Sequence, residues 1–253
     1  MSATISIFNF QKRWDAVVLL HGLFASNRSM QAARDRFERD GYLVVNFGYK
    51  TLFQTIDDYL DGLVPMLGRL NDDRAVQSIN FVTHSFGGIL VRYALEHISH
   101  AKLHRAVMMA PPNNGIRLAR YSLGVFDRLF PIVKQISDAP HSLPNSVPEP
   151  SGMDVGVIAA DRDVIVNRES TKLKNQSDHR TIATTHFRLP YCSEALECAS
   201  RFLRHGSFDQ AVETRSQTGV GGHVVAAPSV AMSTESFSAE PIFYADRNAR
   251  RAS

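Results

Sequence analysis

Between residue 16 and about residue 205, short apolar runs alternate with stretches whose apolar positions recur at helical spacing. AVVLLH (16–21) is a near-continuous hydrophobic run ending at Gly22, as expected of a parallel strand covered on both faces. NRSMQAARDRFERDG (27–41) follows, with Met30, Ala33 and Phe37 on one helical face and Gly41 as a stop. YLVVNFGY (42–49) reads as the next strand. The stretch 55–70 then sets Ile56, Tyr59, Leu63, Leu67 and Leu70 at helical spacing, and Pro65 is expected to bend or interrupt it.

SINFVTH (78–84) is a third strand, and GILVRYALEHI (88–98) a helix with Ile89, Leu90, Tyr93 and Ala94 facing inward. HRAVMMA (104–110), DVGVIAA (154–160) and HRTIATT (179–185) supply three more strands. CSEALECASRFLRHG (192–206) closes the pattern as a helix with Leu196, Ala199, Phe202 and Leu203 buried and Gly206 at its end. The alternation predicts an α/β fold, a mostly parallel central sheet of about six strands flanked by helices.

Two segments break the rhythm. Residues 111–153 contain an apolar stretch (Leu118, Tyr121, Val125, Phe126, Leu129, Phe130, Val133) and then a loop with Pro140, Pro144, Pro148 and Pro150. This insertion is read either as a lid over a pocket or as a helix packed on the sheet. Residues 207–253 are rich in Ser, Thr, Ala and Gly, lack periodicity, and are expected to form a disordered tail after a 1–206 domain.

Composition narrows the function classes. The 28 basic and 25 acidic residues are too evenly balanced for a dedicated nucleic-acid binder. No apolar run approaches the roughly 20 residues that a membrane-spanning helix needs. Lys12 and Arg13 precede an apolar run as in a signal peptide, but Asp15 and His21 interrupt it, so the run reads as a strand and the protein as cytoplasmic. Nothing in the sequence supports peripheral membrane contact. Cys192 and Cys198 match neither a redox motif nor a zinc site and are read as free thiols; no metal or other cofactor is expected.

The strongest chemical signal is THSFGG (83–88), which joins a strand to a helix. A serine at such a turn is held in strained geometry with its hydroxyl above the sheet edge, and Gly87 and Gly88 give strand and helix room to pass. Thr83 stands where the first glycine of G-x-S-x-G is usual. HGLF (21–24) ends the first strand, where the N–H of Leu23, after Gly22, can join the N–H of Phe86 as an oxyanion donor. His21 and His84 belong to these motifs, and His21 reads as tying down its loop. Serine needs a base, and His186 emerges at the sheet edge that carries Ser85, whereas His179 begins its strand at the opposite edge. Asp161 and Asp163 both follow the fifth strand and are both placed to serve as the acid, and Ser–Asp–His is the order found in α/β-hydrolases.

On VVLLHGLFAS, FVTHSFGGILVRYAL, MMAPPNNG, DVGVIAADRD…VNRESTKL and ATTHFRLP, residues 14–206 resemble the serine esterase/lipase members of the α/β-hydrolase superfamily, in their compact, small-capped branch. The resemblance implies a Ser85–His186–Asp163 triad, because a D-x-x-V-x-x-E-S-T-like run carries the acid in such relatives and Asp163 opens one here. Relatives often read T-H-S-x-G-G, which accommodates Thr83; Val164 stands where glycine is common. The implied activity is cleavage of small-molecule or lipid esters through an acyl-enzyme on Ser85. The alternatives are acyl transfer by the same triad and a non-catalytic ligand- or partner-binding member of the fold.

Overall fold

A run apolar at five successive positions needs cover on both sides, and residues 16–20 of β1 (Trp14–Leu20) have it. Ala16, Val18 and Leu20 enter one core; Val17 and Leu19 enter another. The first core is closed by α2 (Ile56–Asp72) and α3 (Phe86–Leu95), the second by α1 (Gln31–Arg39) and α6 (Ser193–His205). The remaining strands are β2 (Leu43–Phe47), β3 (Val76–His84), β4 (Leu103–Met109), β5 (Asp154–Ala160) and β6 (Asp178–Ile182). Two short helices, α4 (Pro131–Gln135) and α5 (Leu143–Ser146), lie in the insertion. This computed structural model describes residues 13–99, 101–121 and 128–209.

All six strands are parallel, in the order β2-β1-β3-β4-β5-β6. The chain steps from β1 to β2 on one side and then crosses to β3 on the other. Connections therefore diverge between the carboxyl ends of β1 and β3, which is where open α/β sheets leave a crevice. Register aligns those ends, with Leu20 opposite Thr83 and His84 opposite Met109.

The predicted helical faces of 27–41, 55–70 and 192–206 are the buried ones, with Met30, Phe37, Tyr59, Leu63 and Phe202 all inside. Several details differ from the sequence reading. Residues 27–30 form a 3-10 turn before α1. Pro65 does not interrupt α2, because it and Asp61, whose carbonyl loses its partner, both lie on the exposed face. The sixth strand stops at Ile182, where Thr184 N–H turns back to the Ile182 carbonyl. Packing continues past Gly206, for Phe208 is buried against Phe202. From residue 210 on, the expected tail lies outside the described residues, as do Val125 and Phe126.

Helix α3 is buried nearly all round, and Tyr93, expected inside, is only half-buried while Arg92 is inside. The Arg92 guanidinium donates to the carbonyls of Asn113, Pro144, Val147 and Pro148 and to Asn113 Oδ1. Burial lowers its pKa to about 10, with only the more distant Glu149 opposing. Ile132 and Ile136 join the same core, so the described parts of 111–153 pack on the domain. Replacing Arg92 with Leu strands several carbonyls at once and is expected to lower stability by about 3 kcal/mol. Urea unfolding of the variant measures this, and an unchanged midpoint would show that these bonds do not hold the segment.

Candidate active site

Ser85 sits between β3 and α3 with φ 52° and ψ −123°, in the left-handed half of backbone space. A non-glycine residue adopts that geometry only where its surroundings enforce it. Its N–H donates to the Met109 carbonyl on the neighbouring strand, and its carbonyl accepts from Gly88. Gly87 makes the turn possible, because a Cβ there would lie 2.7 Å from the Leu20 carbonyl oxygen and 2.8 Å from that of His21. Gly22 lies against the turn from the other side; its Cβ would come within 3.1 Å of both Ser85 Cβ and His84 Nδ1. Gly88 faces Pro111 and Thr83 less tightly. Leu23 follows Gly22 and Phe86 follows Ser85, and the N–H of neither is hydrogen-bonded among the described residues.

His186 opens the 3-10 turn His186–Tyr191, just after β6. Its Nε2 is 3.1 Å from Ser85 Oγ and its Nδ1 2.7 Å from Asp163 Oδ2. Both the imidazole and the Asp163 side chain are almost fully buried. A carboxylate accepts, so Nδ1 carries the hydrogen and Nε2 faces the serine hydroxyl with its lone pair. Burial works to raise the Asp163 pKa, but the bond from His186 and the N–H groups of Val166 and Ile165 on Oδ1 outweigh it and hold the carboxyl below its usual range.

Of the two carboxylates left open by the residues alone, Asp163 is the one beside His186; Asp161 is on the surface with Arg162. His179 lies near Thr171, away from the serine. His21 is buried and bridges its own loop: Nδ1 donates to the Gly22 carbonyl, and Nε2 accepts from Tyr49 N–H. Burial lowers its pKa.

Three contributions were not read from the sequence. Tyr49, at the end of the second strand, stacks on His21 with ring centroids 3.9 Å apart and donates its hydroxyl to the His21 carbonyl. Asn113 spans from Arg92 to the Thr171 carbonyl, and Asn114 N–H reaches Ser170, so the PPNNG turn clips down the loop that carries Asp163. Third, His84 Nε2 donates to the main-chain carbonyl of His186 at 3.0 Å, while its Nδ1 is buried with no partner among the described residues. Burial, and then the neighbouring His186, push the His84 pKa down to about 3. The only sequence signals for these are a tyrosine after a strand, an asparagine pair and a histidine before the serine, none of which names its partner.

Outside the acid loop runs a groove of about 420 Å³ bordered by Arg117, Tyr121, Asp163, Val164 and Asn167. Among the described residues no group of three His, Cys, Asp or Glu side chains stands close enough to share a metal ion.

Residues 11–128 match a family described as "Putative serine esterase (DUF676)". No curated protein matches the sequence. Among solved structures, a gene product of Listeria innocua is similar at 15% identity and TM-score 0.55, over 76% of this chain and 94% of its own. Est1E from Butyrivibrio proteoclasticus is similar at 16% identity and TM-score 0.54, covering 78% of this chain and 88% of its own. The mature lipase BlEst2 of Bacillus licheniformis gives 18% identity and TM-score 0.53, over 69% and 85% respectively. These likenesses are to the fold, which places Ser85 at the sheet edge where the strand connections diverge. The chain therefore has the fold of these hydrolases, and over residues 11–128 it is similar to the putative serine esterase family.

Proposed function

We propose that the chain hydrolyses carboxylic esters through an acyl-enzyme on Ser85. The observation that carries this reading is the position of one imidazole, His186, within hydrogen-bond reach of a strained serine on one side and a buried carboxylate on the other. Ser85 Oγ attacks the ester carbonyl as its proton passes to His186 Nε2. The carbonyl oxygen gains the negative charge, and the N–H groups of Leu23 and Phe86 receive it, each contributing about 3–4 kcal/mol to the transition state. Collapse breaks the ester bond, and the departing alkoxide takes the proton from Nε2. Water then repeats the sequence against the acyl-serine, losing a proton to His186 and releasing the carboxylic acid. Asp163 fixes the ring's tautomer and stabilises the imidazolium at each stage. An alcohol in place of water would give acyl transfer from the same intermediate.

His84 is a positioning residue in this reading. It holds the base by its main chain, and its low pKa keeps it uncharged beside the imidazolium that forms on His186.

Ser85→Ala is expected to reduce turnover of p-nitrophenyl esters by about 10⁶-fold and Asp163→Asn by about 10⁴-fold, with unchanged circular dichroism. A fluorophosphonate probe should label the wild type at Ser85 and leave Ser85→Ala untouched. Retained turnover in the serine variant would remove this mechanism.

The His84 pKa has a separate consequence for stability. A histidine near 6.5 when unfolded and about 3 when folded contributes fully above the unfolded value. That contribution is lost as pH falls from there toward 3, with a slope of up to about 1.4 kcal/mol per pH unit. His84→Gln keeps an N–H donor without the titration. Its unfolding free energy should fall less steeply between pH 6.5 and 4.5 than the wild type's, as read from urea midpoints. Equal slopes would mean that His84 does not carry the effect.

A further inference from the structure

With the exception of Leu43 and of Tyr191, which ends the turn leading into α6, the large apolar side chains exposed among the described residues lie at one edge of the sheet, on segments that follow strands. Phe24 follows β1, Leu52 and Phe53 follow β2, Tyr121 follows β4, Val164 follows β5, and Phe187 follows β6. This is the edge that carries Ser85. Exposure is high, 62% for Phe53 and 87% for Val164. Two of these residues are also held in unfavourable backbone geometry, Phe24 at φ 60° and Phe53 at φ 56°. Both lie against the same turn of the insertion, since Phe24 packs edge-on against Phe130 and Phe53 N–H donates to the Leu129 carbonyl. Backbone strain in residues whose phenyl rings stay largely exposed is a feature of binding surfaces.

Each of these loops also carries a cation close in sequence to its apolar tip: Arg28, Lys50, Arg117, Arg162 and Arg188. Most carboxylates on this edge are already paired, Asp138 with Arg120, Asp161 with Arg162 and Glu169 with Lys172. Asp57 and Asp58 in the first turn of α2 and Glu194 in the first turn of α6 are acidic exceptions. Arg28, Lys50, Arg117 and Arg188 have no carboxylate partner among the described residues. Apolar tips interleaved with free cations suit an interface in which hydrocarbon lies beneath a layer of phosphate.

We propose that this rim docks the protein on an anionic phospholipid surface. The rim surrounds the serine, so a protein partner or a second copy seated on it would close the site, whereas a lipid surface presents ester bonds to it. That last step rests on the hydrolase reading; the docking itself does not.

The test uses the full chain carrying Ser85→Ala, so that lipid is not consumed, in flotation with vesicles. Binding to vesicles of about one third phosphatidylserine in phosphatidylcholine should exceed binding to pure phosphatidylcholine by about tenfold and fall as salt is raised. Adding Leu52→Ser and Phe53→Ser should weaken it by about tenfold, as should Arg28→Glu with Lys50→Glu. Thermal unfolding of each variant checks that the fold is kept. Absence of flotation with anionic vesicles, or undiminished binding by both folded double variants, would overturn the proposal. So would a dimer of the chain in solution that the Leu52→Ser and Phe53→Ser changes disperse. Docking by the Ser85→Ala chain together with no esterase turnover by the wild-type chain would count against the hydrolase reading alone.

Discussion

One residue carries three hydrogen bonds on which the site depends. His186 meets Ser85 through Nε2, Asp163 through Nδ1 and His84 through its own main-chain carbonyl. Two of the bonds tie it to the end of β3 and the third to the loop after β5. The ring has no freedom to swing, because its backbone is held as firmly as its side chain. His84 before the serine and His186 after the last strand, 102 positions apart in sequence, thereby form a single buried unit. Low dielectric strengthens such a unit when every partner is present, and makes the loss of any one of them costly.

The surroundings serve that arrangement. Close passage of α3 across the end of β1 needs Gly87, whose missing side chain leaves room for two carbonyl oxygens. The acid loop is clamped by Asn113 and Asn114, so Asp163 receives two main-chain N–H groups without help from outside its own turn. On the far side His21 and Tyr49 lock the turn that sets Gly22 against the serine. Rigidity here comes from neutral hydrogen bonds and stacked rings, and the one ionisable pair at the centre is His186 with Asp163.

Much of this was legible in the sequence because it rests on short-range pattern. Apolar runs and helical spacing mark six strands and their flanking helices, since burial on two faces or one leaves a direct trace in composition. The positions of Ser85 and His186 could be read because strand direction decides which end of each run meets the edge. The choice between Asp161 and Asp163 could not be read from the residues, because it turns on which of two carboxylates folds inward after a turn. Nor could the partners of Arg92 and His84, for neither residue's environment is periodic or local. Tyr93 and Arg92 show the same limit: amphipathic spacing assumes one solvent face, and α3 has almost none.

The Arg92 guanidinium has a consequence for how this fold can diversify. It moors residues 144–148 to the helix behind the serine, and Asn113 moors the start of the same excursion. Both feet of the excursion are anchored independently of the sequence between them. A span held that way can be exchanged like a removable panel, recutting the mouth above the serine while the groups beneath keep their geometry.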